Sequence, residues 1–233
     1  MKDIRELIVT QIRIFPADYI PYSYLLRKEF IDYVVEKYKF GKHQMPFENI
    51  PVPANVPRVL VLESGEYKVD KKKIIIKKVT FEDRRLITEV LSPSKLSAKF
   101  FNAFSKDIKK FDMDERFKAS DANYFTEETS CIVSLDIDFM DIYSEKFRNF
   151  LTKDFVKHLK HDAFEIYPRR TRFEVSFKPD EKLMKHRISL APKLLAIEPR
   201  TEHSLDEKVF FTSSPCDTDT HLNLLKSFEE SMK

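Results

Sequence analysis

The segment SCIVSLDIDFMD, Ser130 to Asp141, gathers three carboxylates: Asp136, Asp138 and Asp141. Two carboxylates two residues apart on an extended strand point to the same side. They offer hard oxygen ligands of the kind magnesium and manganese take, and two-metal phosphoryl transfer is built on such pairs. On that reading Asp136 and Asp138 are the metal ligands of a divalent-metal-dependent phosphodiester enzyme. The rest of such a site is not legible. No third acidic motif stands out, and with only Gly41 and Gly65 the chain has no glycine-rich phosphate loop or dinucleotide fingerprint. A half-exposed strand also explains the pattern. Cys131, Val133, Leu135, Ile137 and Phe139 fall on one face, while Ile132, Ser134, Asp136 and Asp138 fall on the other. The alternation accounts for the acids without a ligand, so no catalytic residue is assigned. No cofactor is expected outside the magnesium or manganese of the metal reading.

Cations form the second set. Lys71, Lys72 and Lys73 lead into Lys77 and Lys78; Arg84 and Arg85 follow; Arg169, Arg170 and Arg172 lie between Tyr167 and Phe173. Arginine interleaved with aromatic rings suits single-stranded nucleic acid, through phosphate contact and base stacking. Lysines along a strand equally guard an exposed edge against aggregation. The net charge of +3 gives no global polycation. The charge is uneven, however: residues 1–120 carry an excess of Lys and Arg, the remainder an excess of Asp and Glu, as if the halves face different partners or each other. His158 and His161 have the spacing of a helical metal pair, but in "KHLKHD" they also read as a cationic helix end.

Cys131 lies on the apolar face of its strand and reads as an inert core thiol. Cys216 follows Pro215 just before a helix, where a thiol pKa can fall. No base stands beside it, and His221 is five residues on. With two cysteines and no CxxC, neither a disulfide scaffold nor a zinc ribbon is expected. No apolar run approaches the roughly 18 residues of a membrane span, and no signal peptide opens the chain. A cytoplasmic protein with no membrane contact is therefore expected. Scarce Gln with abundant Lys, Glu and Ile resembles thermophile composition.

The elements that must position these groups follow from periodicity. "ELIVTQIRIF" alternates as a strand. "PYSYLLRKEFIDYVVEKYKF" carries a helical stripe of Tyr22, Leu26, Phe30, Tyr33, Val34 and Tyr38, with Gly41 as its expected stop. Pro46, Pro51, Pro53 and Pro57 mark an extended connection. "RVLVLES", "EYKV", "KKIIIKKVTF" and "RRLITEVLS" read as strands, with a tight turn at Gly65. A helix over "PSKLSAKFFNAFSKDIKKF" shows Leu96, Phe100, Phe104, Ile108 and Phe111 on one face and Ser94 as its cap.

Residues 112–129 are polar and aperiodic, and after them the order repeats: strand, then a helix with Phe147, Phe150, Leu151, Phe155 and Leu159 on one face, then extended segments. A final helix has Leu224, Leu225, Phe228 and Met232 inward, capped by Asp217 or Thr218. The expected fold class is α+β, with a first unit over 1–111, an acidic linker over 112–129 and a second unit over 130–233. Each unit reads strand, helix, three or four antiparallel strands, helix. That parallel implies internal duplication about a pseudo-twofold. The units can join edge to edge into one sheet or pack helix layer on helix layer; the sequence does not choose between them. If the first strands of the two units are neighbours, Arg13 can pair with Asp136 across them. Missing catalytic motifs, a charge-split surface and 21 phenylalanines lead to a non-enzymatic structural or adaptor protein. Such a protein binds a protein partner or self-assembles through surface aromatic anchors.

Overall fold

The alternating residues at the start of the chain form β1 (Lys2–Ile14), which sends Val9 and Gln11 to one side of a sheet and Ile8, Thr10 and Ile12 to the other. The computed structural model describes residues 1–17, 19–44, 59–69, 71–82, 84–113, 115–155, 170–176, 185 and 192–232. After β1 come two helices, α1 (Tyr22–Leu25) and α2 (Lys28–Tyr38), then β2 (Lys42–Gln44), β3 (Leu60–Val69), β4 (Lys72–Phe81), β5 (Arg85–Leu91) and α3 (Ser94–Phe111). The second half holds β6 (Tyr124–Ser134), a short α4 (Glu145–Asn149) continued by a wider π turn (Phe150–Phe155), β7 (Thr171–Val175), β8 (Lys193–Pro199), β9 (Val209–Ser214) and α5 (Thr218–Ser231).

The nine described strands make one sheet, in the order β2-β3-β4-β5-β1-β6-β9-β8-β7, and every pairing is antiparallel. Edge-to-edge joining is therefore the arrangement adopted. The joint is β1 against β6, regular from Leu7↔Cys131 to Ile14↔Tyr124 and irregular over Lys2–Glu6. Outward from it the halves run in the same order: β1, β5, β4, β3 on one side and β6, β9, β8, β7 on the other. Joining the first strands hides two edges that would otherwise present unpaired backbone.

The described helices that contribute to the cores lie on one face. Phe30, Val34 and Tyr38 of α2 and Phe100, Phe104 and Ile108 of α3 are buried against Leu60, Leu62, Ile76, Val79, Leu86 and Val90. The rings pack edge-on and tilted, as Tyr38 with Phe104 at 5.2 Å. A smaller core holds Cys131, Val133, Leu135, Ile137, Phe139, Phe210 and Leu225. Asp107 enters the first core from α3 because four groups donate to it: Tyr33 (3.0 Å), Tyr38 (2.5 Å), Lys37 (2.5 Å) and Lys110 (3.0 Å). Burial alone raises its pKa, but these donors outweigh burial and hold it below the ordinary carboxylate range.

Several expectations are corrected. Gly65 makes no turn; it lies within the continuous β3, where a Cβ would stand 2.6 Å from the Phe40 ring. Glycine is needed there because an aromatic side chain crosses the strand. Helix α2 stops at Lys39, in the left-handed region at φ 52°, rather than at Gly41. The segment 112–129 is not irregular throughout: β6 begins at Tyr124, and Phe117 is buried against Phe15, their ring centroids 5.4 Å apart. In α5, Leu224 is exposed and His221 takes the inward position. The stripe of the fourth helix also turns outward: Phe147, Phe150 and Phe155 are 44%, 48% and 42% exposed, with Phe147 stacked on Phe150 and Phe155 tilted against it.

Candidate functional site

Opposite the helices, the sheet presents a face that no described helix covers. Its centre follows from the register. One row is Val61, Thr80, Ile87, Ile12 and Thr126; the next is Glu63, Lys78, Glu89, Thr10 and Glu128. A third joins Ser130, Ser213, Ala196 and Arg172. Most of these side chains are half-buried, and Ile75 and Leu194 on the same face are more open. At about 4.8 Å per strand the face is roughly 40 Å wide. Mixed charge pairs across it: Glu128 accepts from Ser213 at 3.1 Å and from Lys193 at 3.3 Å, Arg172 grips Glu198 with Nε and Nη2, and Lys73 meets Glu66. A shallow depression at its second half is lined by Glu128, Arg172, Leu194, Ala196, Phe211 and Ser213.

The sequence-derived cations do not converge on one groove. Lys71 sits in the β3–β4 turn at φ 67°, and Lys72 and Lys73 open β4. Arg84 and Arg85 lie at the far end of that strand, about 30 Å away by strand rise. Arg84 donates to the Phe15 carbonyl at 3.2 Å, and Arg85 pairs with Glu82 at 3.4 Å. Arg172 is on edge strand β7 and is committed to Glu198; Arg170 is exposed; Arg169 lies outside the described residues, as do His158 and His161.

The acids are not on a strand. β6 ends at Ser134, although the alternation continues and keeps Leu135, Ile137 and Phe139 buried. Asp136 pairs with Lys208 at 2.7 Å, and Asp138 caps a 3₁₀ turn by accepting from the Met140 N–H at 2.8 Å. Among the described residues no cluster of three His, Cys, Asp or Glu is placed to hold a metal ion. Arg13 and Asp136 lie at opposite ends of the β1–β6 pair, since Arg13 faces Phe125 and Ser134 faces Lys2. They cannot pair.

Sequence reading missed a polar chain around His221. Thr212 Oγ1 lies 3.0 Å from Nε2, Ser214 Oγ lies 2.6 Å from Nδ1, and the same Ser214 hydroxyl lies 2.9 Å from Cys216 Sγ. Burial lowers the His221 pKa to about 4 and raises both thiols, Cys131 and Cys216. For Cys216 desolvation is the largest cause, with the nearby Asp217 and Glu127 charges acting in the same direction and the Ser214 hydroxyl against it, so the expected lowered thiol pKa is not found. The signal available in the sequence was the four-residue step from His221 to Leu225.

No helix among the described residues is long and apolar enough to cross a membrane. No family model matches the chain, and comparison with curated proteins and with solved structures returned no match.

Proposed function

We propose that the protein is a non-catalytic docking module whose open sheet face takes a protein partner. The observation that supports this reading is the wide, half-buried face of Ile8, Ile12, Ile87, Ile132 and Phe211, over which no helix lies among the described residues. A patch of that kind on a folded domain commonly marks an interaction surface. Charges on the face favour protein over polyanion, because Glu63, Glu89 and Glu128 sit in its central row. We also read the matching strand order of the halves as the trace of an internal duplication, with the pseudo-twofold passing between β1 and β6.

A second reading has its own support. A helix-free antiparallel face with β-branched and hydroxyl side chains at its centre and cations at its ends is a geometry by which sheets lie along a nucleic-acid groove. Here Thr10, Thr80, Thr126 and Ser130 supply the hydroxyls, and Lys71, Lys72, Lys73, Arg85 and Arg170 lie at the strand ends and the far edge.

A photo-crosslinker separates these readings. Placed at Ile12 in the source-cell extract, it is expected to capture protein, whereas the same probe at exposed Lys106 on the helix side captures none. Equal labelling at both positions rejects the open face as the docking surface. Salt-sensitive binding of short duplexes, lost on replacing Ile12 and Ile87 with Glu, transfers the face to nucleic acid.

A further inference from the structure

On the helix side, where the two halves meet, α3 and α5 begin beside each other. Between their first turns and the β1–β6 pair lies a cleft of about 410 Å³, walled by Pro93, Lys95, Ala98, Phe125, Asp217 and Asp219. Three further lining residues have buried atoms without a partner: Gln11 Oε1, Arg13 Nε and Glu127 Oε1. Seven such atoms occur among the described residues, and three of them sit at this one cleft. Each carries a desolvation cost of about 1–3 kcal/mol. Orphans of this sort call for an absent partner.

The orientation of the groups is fixed. Gln11 is 1% exposed, and its Nε2 donates to Glu127 Oε2 at 3.0 Å, so its oxygen is the free end of the amide. Arg13 is held flat between two rings, with its guanidinium carbon 4.0 Å from the Phe101 centroid and 4.7 Å from that of Phe125. Among the described residues no hydrogen bond or ion pair reaches that guanidinium. Stacking covers its faces and leaves the planar edge to act. Phe125, 45% exposed, is the outer ring.

The charges select the ligand. Arg13 and Glu127 offset each other electrostatically, Lys95 pairs with Asp219 at 3.0 Å, and Asp217 accepts from the Thr220 N–H. An anion would meet Glu127, Asp217 and Asp219; a cation would meet Arg13. The helix N-termini give an anion no seat, because each is capped by the other: Ser94 N donates to Thr218 Oγ1 at 3.0 Å and Thr218 N to Ser94 Oγ at 2.8 Å. What remains is a donor fork beside two acceptor oxygens. We infer that this cleft binds a neutral planar group carrying a carbonyl oxygen next to an N–H: a carboxamide or lactam edge, its oxygen on Arg13 and its N–H on Gln11 and Glu127. The site lies on the side of the sheet opposite the docking face and stands whatever that face binds.

The test follows the Arg13 Nε–Hε resonance by NMR, assigned through its loss in Arg13→Lys. N-methylacetamide represents a peptide source and uridine a nucleobase source; acetate and phosphate at matched ionic strength are the ionic controls. A saturable shift with N-methylacetamide or uridine is expected, and with neither ion. Glu127→Gln should weaken it about tenfold, since a hydrogen bond to a charged group is lost. Gln11→Met provides the same test if Glu127→Gln does not fold. The inference is overturned by no saturable shift with either amide probe, by equal shifts with acetate or phosphate, or by affinity unchanged in the folded variant.

Discussion

His221 is closed to water, with Thr212 on one ring nitrogen and Ser214 on the other, and its pKa falls to about 4 from 6.5. Above pH 6.5 the ring is neutral in both folded and unfolded chains, and stability is complete. As pH falls toward 4 only the unfolded chain takes the proton, so stability is lost across that window. Urea unfolding should show a loss of about 2 kcal/mol between pH 6.5 and 5, and His221→Gln should flatten the slope. Asp107 acts at lower pH, because its depressed pKa carries stability that disappears only below its ordinary value of 3.8. Replacing Asp107 with Ala strands Lys37, Tyr33 and Tyr38 and should cost about 3 kcal/mol, whereas Lys110→Ala, at an exposed position, should change stability far less. Calorimetry with manganese tests the acid pair: Asp136 and Asp138 already serve Lys208 and Met140, so no heat of binding is expected.

At the scale of elements, strands and long helices were legible because their patterns are local. Phe100, Phe104 and Ile108 recur at helical steps and are buried; Cys131 to Phe139 alternate and are buried. What failed depended on groups distant in sequence. Gly65 reads as a turn until Phe40 is seen crossing it, and Ser94 reads as the cap of its own helix until Thr218 is seen beside it. None of the orphans at the interhelical cleft had a sequence signal, because Gln11 and Glu127 become neighbours only through the β1–β6 register. The exchanged caps can be measured. Ser94→Ala and Thr218→Val should each cost about 1 kcal/mol, and a double-mutant cycle should return a coupling of at least about 0.5 kcal/mol. Gly65→Ala should destabilise more than either, since Phe40 and the Tyr38 carbonyl leave no room for the methyl group.

For the molecule as a whole, the sheet passes through both halves without a break, and the caps of α3 and α5 tie the helix layers together. Fluorescence and far-ultraviolet circular dichroism should therefore report one coincident unfolding transition. Amides of β1 and β6 should exchange most slowly, these being the two longest strands and lying at the middle of the sheet, far from either edge. The seam also constrains what half the polypeptide can do alone. Without β6, residues 1–113 would leave the long ladder of β1 unsatisfied along its whole length. The partner that fits it best is another β1, because the native joint is already antiparallel between strands of corresponding rank. Expressed alone, that half should sediment as a twofold dimer and revert to monomer when proline replaces Val9. Such behaviour would make the present seam a fusion of an older homodimer into one chain.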